Sequence, residues 1–192
     1  KLKVYGDATI LINSTNLKVE FDEGVIDQKN FLFQSEKDVE LYDFSNNIKI
    51  NSKKIIYNKS DNILRSSSKS IITDIFGNRS IADSFTYEIN NNLFKIKNLD
   101  FYDKEDNNLK LSLAYLNTKT NNLYGKDVAV NLKDENLKIN KDNNPRLRGN
   151  SVVNNDSFTE IKKGIFTLCK KRDNCPPWEI SAKTILHDKK KK

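Results

Sequence analysis

An asparagine returns every thirty residues through the middle of this chain, and each time two apolar residues follow it. Asn62 precedes Ile63-Leu64, Asn92 precedes Leu93-Phe94, and Asn122 precedes Leu123-Tyr124. A second turn signal keeps the same spacing, with Asn78 answered by Asn108; beyond it Ile81 is answered by Leu111 and Phe85 by Tyr115. A fixed period of this size marks a stacked-repeat architecture, in which one supersecondary unit covers the apolar face of the next. Each unit reads as strand, polar turn, strand, polar turn. The expected fold is all-β: an elongated antiparallel structure built of repeated hairpins.

Within the repeats, apolar residues alternate with polar ones, which places them on one face of a strand. Straight alternation puts Ile81, Phe85 and Tyr87 together, with Asp83 an oddity among them, and Leu109, Leu111, Leu113 and Tyr115 on the matching face one period later. Phe94, Ile96, Tyr124, Val128 and Val130 supply the partner strands, and Leu64 heads the row. Stacked at ~4.8 Å per strand, these side chains form apolar columns. The columns either close as a sandwich core or line a trough able to take long acyl chains.

Residues 1–52 carry the same alternation without the strict period: Leu2-Val4, Ile10-Ile12, Leu17-Val19-Phe21, Phe31-Phe33, Val39-Leu41 and Ile48-Ile50. Their turns are marked by Asn and Asp, which tolerate the left-handed backbone and bond to it. Pattern fades over residues 133–158, where Arg146 to Val153 reads as a last short strand after a Pro-marked turn.

Apolar content of 36% against 31% charged residues is low for a thick core but adequate for a thin sandwich or open trough. The formal charge of +7 invites a nucleic-acid reading. However, four lysines are the terminal run Lys189 to Lys192, and the others alternate with Asp and Glu along the strands, so no nucleic-acid partner is expected. The chain lacks a glycine-rich phosphate loop and a nucleophile elbow, and its one histidine, His187, reads as surface. Neither an enzyme nor a cofactor or metal site is expected.

The two cysteines, Cys169 and Cys175, cannot close a four-ligand zinc site without further Cys or His. A disulfide between them would contribute roughly 2–3 kcal/mol by loop entropy and imply an oxidising compartment; alternatively each pairs outside the chain.

The segment around them carries a family resemblance. Gly164-Ile165-Phe166-Thr167-Leu168-Cys169, then Pro176-Pro177-Trp178-Glu179-Ile180-Ser181-Ala182-Lys183 and Ile185-Leu186-His187-Asp188, resembles the junction that precedes the outer-membrane barrel in the LptD (OstA) lipopolysaccharide-assembly family. The second proline abuts Trp178 directly, and Leu168 stands where proline is common. The upstream repeats look like that family's OstA-type β-jellyroll, whose turns are of the Tyr-Asp-x-x-x-Asn kind, with Tyr57 to Asn62 the nearest local match.

The resemblance implies a jellyroll over 1–158, a cysteine-containing junction over 159–192, and a barrel that lies outside this chain. It implies export with loss of a signal peptide, a place at the periplasmic face of the outer membrane, and transport of lipopolysaccharide with its acyl chains in an apolar groove. Leu64, Ile81, Phe85, Phe94, Ile96, Leu111, Leu113, Tyr115, Tyr124, Val128 and Val130 would line that groove. Leu2, Val4, Ile10, Ile12, Leu17 and Val19 would form an edge docking an LptA-like bridge protein by strand pairing. The chain's own barrel and an LptE-like lipoprotein would be further partners. In related proteins disulfides tie this domain to the barrel, so Cys169 and Cys175 either bridge locally or reach barrel cysteines. Two other readings remain: a stand-alone LptA-like bridge component, and a structural or adhesive β-repeat protein that binds no lipid.

Overall fold

The computed structural model describes residues 1–35, 37–103, 107–131, 145–168 and 178–190. Fifteen antiparallel strands form one sheet: β1 (Leu2–Ile12), β2 (Leu17–Asp27), β3 (Leu32–Ser35), β4 (Val39–Asp43), β5 (Ile48–Ser52), β6 (Ile56–Asn58), β7 (Ile63–Ser66), β8 (Ser70–Thr73), β9 (Arg79–Glu88), β10 (Leu93–Tyr102), β11 (Asn108–Asn117), β12 (Asn122–Asn131), β13 (Arg146–Asn154), β14 (Phe158–Thr167) and β15 (Ile180–Asp188). Cys169 and Cys175 lie outside the described residues.

The sheet forks twice. The first half of β2 pairs with β4 and its second half with β3. Likewise the first half of β9 pairs with β8, and its second half with β7. Two half-sheets, β4-β5-β8 and β3-β6-β7, therefore run between β2 and β9 and close a ring. Outside it, β1 covers the free edge of β2, and β10 to β15 stack in order beyond β9.

Each long strand belongs to both half-sheets, so it must bend midway. Left-handed residues mark the bends: Gly6-Asp7 in β1, Asn98 in β10, Asp127 in β12 and Lys163 in β14. In β1 the register also slips, since Tyr5 faces Glu23 but Ala8 faces Phe21; this is a β-bulge, one extra residue that bends the strand. In β10 the register is kept across the bend, with Lys97 facing Leu113 and Leu99 facing Leu111. The alternation nevertheless reverses there, so that Ile96 and Leu99, three apart, are both buried.

The hairpin turns follow the expected chemistry. Asn16, Asn47, Asn62, Asn92 and Asn121 all adopt the left-handed conformation with φ between 50° and 54°, which Asn reaches more readily than other residues with a side chain. Asp43 accepts from the backbone N–H groups of Ser45 and Asn46 at 3.0 and 3.1 Å. The Tyr-Asp-x-x-x-Asn pattern is incomplete at Tyr57 but complete at Tyr42 to Asn47, where Asn47 is left-handed, and at Tyr102 to Asn107, where Asn107 donates backbone N–H and side-chain amide to the Asp103 carboxylate at 2.9 and 2.8 Å.

The third copy of the repeat departs from the period of thirty. Its left-handed residue is Asn121, and Asn122 already pairs with Asn117 as the first residue of β12. The column headed by Leu64 therefore runs through Tyr87, Phe94 and Leu116 to Leu123, not to Tyr124. Four groove assignments are overturned. Tyr124 points outward, 51% exposed, because an odd shift sends a strand's side chains to the opposite face. Tyr115, facing Lys95 of β10, also points outward, 36% exposed, because β11 reverses parity between the buried Leu111 and Ala114. Leu113 shares the outer face with Tyr115, while Ala114 occupies the interior. Ile81 faces outward because β9 reverses parity between the buried Ala82 and Phe85; the exposed Asp83 was its trace in the sequence. Leu64, Phe85, Phe94, Ile96, Leu111 and Val128 are buried inside, with Val130 half-buried against them.

The N-terminal edge is β1 alone, since β2 is paired on both sides. Leu17 and Val19 are accordingly core residues rather than edge residues, almost wholly buried. Leu2, Val4, Ile10 and Ile12 do lie on β1; Leu2 is 54% exposed, and the other three are half-buried against the core. Nor is Arg146 to Val153 the last strand. Residue 158 opens β14, and β14 and β15 continue the same sheet, leaving β15 as the opposite free edge.

Candidate functional site

The two half-sheets diverge from the crossovers β3–β4, β5–β6 and β7–β8 toward two rows of turns. At the crossover side they are joined by hydroxyls: Ser52 Oγ lies 2.9 Å from both Ser66 Oγ and Ser70 Oγ, and Ser35 Oγ accepts from the backbone N–H of Ile55 at 2.7 Å. Small hydrogen-bonding residues suit this vertex, where strands separate and ladder bonds run out.

Between the diverging faces lies the apolar interior. In its middle the faces meet and close: Leu41, Ile50, Ile55, Leu64 and Tyr87 have no exposed surface. A polar latch ties the two rows of turns across the same middle. The Tyr87 hydroxyl donates to Asp43 Oδ2 at 2.5 Å, and the Asn46 side-chain amide lies 2.9 Å from both that oxygen and the Tyr87 hydroxyl. Asn46 also donates to Asn92 Oδ1 at 3.0 Å, while Thr118 donates to Asn46 Oδ1 at 3.1 Å. The Tyr87 ring stacks on Phe94, centroids 4.0 Å apart. Burial, reinforced by the neighbouring Asp43 carboxylate, pushes the Tyr87 hydroxyl far above the ordinary tyrosine range.

On either side of the latch the interior opens. Toward β15 is a cavity of about 170 Å³ walled by Ile48, Ile72, Phe94, Ile96, Phe101 and Leu116, with the exposed Ile75 and Phe76 at its rim. Toward β1 is a larger cleft of about 550 Å³, lined by Ile10, Ile12, Val19, Ile26, Phe33 and Tyr57 and rimmed by Phe31. Only the second falls within the ~300–1,000 Å³ of ordinary small-molecule clefts. Burial raises the Tyr57 hydroxyl as well, so the cleft presents no charge from it at neutral pH.

The sequence placed the interior columns between β7 and β12, and the structure gathers Leu64, Phe85, Phe94, Ile96, Leu111, Val128 and Val130 there. The roomier cleft lies elsewhere. Ile26, Phe33 and Tyr57 were not singled out, and Ile10, Ile12 and Val19 line this cleft rather than a docking edge alone. The signal was the alternation Ile10-Ile12, Val19-Phe21 and Phe31-Phe33, which marks strand faces but not which face looks inward.

No protein-family model and no curated protein sequence matches the chain. Among solved structures, LptH, the LptA-homologous periplasmic component of the lipopolysaccharide transport device of Pseudomonas aeruginosa, overlays with a TM-score of 0.48 and 11% identity, covering 55% of this chain and 78% of that one. The fold class stands on the strands alone. All fifteen are antiparallel, and the forked sheet closes only around its middle.

Proposed function

We propose that this chain is a non-enzymatic lipid carrier of the exported lipopolysaccharide-transport type, holding acyl chains between its half-sheets. The observation that carries the reading is the uncovered apolar interior: inner faces of Ile, Val, Phe and Tyr open to solvent at the β1 cleft, where the charged lining residues are Lys59 and the buried Asp27, whose carboxylate accepts from the Asn30 amide. Each acyl CH₂ moved from water into such a cleft is stabilised by ~0.8 kcal/mol, whereas the sugars of an amphiphile would remain outside.

The resemblance of the C-terminal segment to the LptD junction supports the finer reading, a domain at the periplasmic face of the outer membrane ahead of a barrel. Under that reading the free edge of β1 receives an LptA-like bridge by strand addition. The free edge of β15 adjoins the barrel and its LptE-like partner. A stand-alone bridge component would use both edges alike.

The test is a photoreactive residue placed singly at Phe33, Leu116, Tyr124 or Lys126 in cells making the protein. Lipopolysaccharide adducts at Phe33 and Leu116, with none at the outward Tyr124 and Lys126, are expected. A second reading, a structural β-repeat scaffold without lipid, is favoured by the closed middle and its latch. Absence of adducts at both inward positions would select it.

A further inference from the structure

The outer surface holds a second concavity, where β7 leaves β9 to cross between half-sheets. It encloses about 380 Å³, and its floor is Phe85 and Ser66. Among the described residues its walls carry four cations, Lys54, Arg65, Lys95 and Lys97, with the hydroxyls of Ser67, Ser84 and Thr86 between them and no carboxylate. Register fixes the grouping: Arg65 and Lys95 flank Thr86 on neighbouring strands, and Lys97 faces Ser84. Strand spacing therefore sets the Arg65 and Lys95 backbones about 10 Å apart, close enough for both side chains to reach one group between them.

Several surface cations elsewhere are neutralised by a neighbouring carboxylate. Lys18, Lys37, Lys49 and Lys110 each sit within 3 Å of a carboxylate. Arg65, Lys95 and Lys97 take part in no ion pair among the described residues; Lys95 lies only over the Tyr115 ring. Grouped like charges repel one another, and an anion between them relieves that repulsion. The guanidinium of Arg65, the ammonium groups of Lys95 and Lys97 and the nearby hydroxyls suit a tetrahedral oxyanion, with Arg65 able to bind two of its oxygens at once.

We infer that this concavity is a binding site for a phosphomonoester group, on the opposite side of the half-sheet from the apolar interior. The site is independent of the acyl reading, since none of its charged residues touches either interior cavity.

The experiment titrates the full chain with glucose phosphate, using unphosphorylated glucose as control, and follows the amide resonances of Ser84, Thr86 and Lys95. A parallel arm measures binding to phosphatidylcholine vesicles with and without phosphatidic acid. The double variant R65Q/K95Q is compared with K119Q/K190Q, which removes the same charge from exposed positions elsewhere. Expected are shifts with the phosphorylated sugar alone and affinity lowered about tenfold or more in R65Q/K95Q, with K119Q/K190Q close to wild type. Vesicle binding that depends on Arg65 and Lys95, without response to the soluble sugar, would support the site and assign its phosphate to a lipid headgroup. Equal weakening by both double variants, no response in either arm, or an oligonucleotide that displaces the sugar phosphate would overturn the inference. R65Q/K95Q should still bind a fluorescent acyl probe as wild type does, so the two sites stand or fall separately.

Discussion

Tyr87 shows how much one buried hydroxyl does in a thin sandwich. Its ring packs on Phe94 in the interior, while its oxygen completes the shell of the buried Asp43 carboxylate and so ties opposite rows of turns together. Tyr87→Phe keeps the ring and removes the tie. It should destabilise the fold by about 1.5–3 kcal/mol, the usual cost of losing a hydrogen bond to a charged group, measured as a fall in urea midpoint with unchanged slope. A midpoint within error of wild type would mean that Asn46 and the backbone donors satisfy Asp43 unaided. The neighbouring asparagines show what could be read in advance. Asn62 and Asn92 announced the turns because a left-handed turn residue selects Asn, and both adopt it. At Asn121-Asn122 two adjacent asparagines qualified equally, and sequence could not choose between them. The structure chose Asn121, and that single step moved Tyr124 to the outside.

At the scale of the element, the bent strand is the unit that straight alternation misses. The strands themselves were legible from their β-branched and aromatic runs, but the left-handed bends at Asn98, Asp127 and Lys163 carry no one residue type. They leave only traces, such as a polar residue on an apolar face. Glycines mark the bends from the other side. A Cβ on Gly149 would lie 2.3 Å from Ile161 Cγ2 and 3.0 Å from the backbone carbonyl of Lys162; one on Gly164 would meet only the Ile185 side chain, at 2.4 Å from Cδ1. Ile185 lies on the free-edge strand and can turn aside, whereas the Lys162 carbonyl is held in the β13–β14 ladder. Gly149→Ala should therefore cost about 1–3 kcal/mol as an overpacking change, and Gly164→Ala distinctly less. Equal denaturation midpoints for the two variants would show that β13 and β14 shift together to absorb the methyl group.

Across the whole molecule, stability is limited by different groups at the two ends of the pH scale. Asp27 is held below the usual carboxylate range by the Asn30 amide, and Glu40 by the Tyr42 hydroxyl and Lys49. Asp100 is also lowered: burial alone would raise it, but the Asn108 amide and Lys110 prevail. Folded-state values below the unfolded ones, near ~4, mean that this stabilisation is complete above that pH and is lost as pH falls through the lowered values. Glu40 and Asp100 are partly exposed, so their share of the acid limb should be gradual. The alkaline limb has a sharper source. Tyr87 is raised in the folded state by burial and by Asp43, so its contribution is intact below the unfolded tyrosine value near ~10 and declines above it, because only the unfolded chain can then ionise it. The decline is about 1.4 kcal/mol per pH unit for that one group. Wild type and Tyr87→Phe should accordingly differ by a constant amount from pH ~6 to ~9 and converge above ~10. Urea titrations at stepped pH would show it; parallel curves through the alkaline range would mean that the latch opens locally and lets Tyr87 ionise before the half-sheets part.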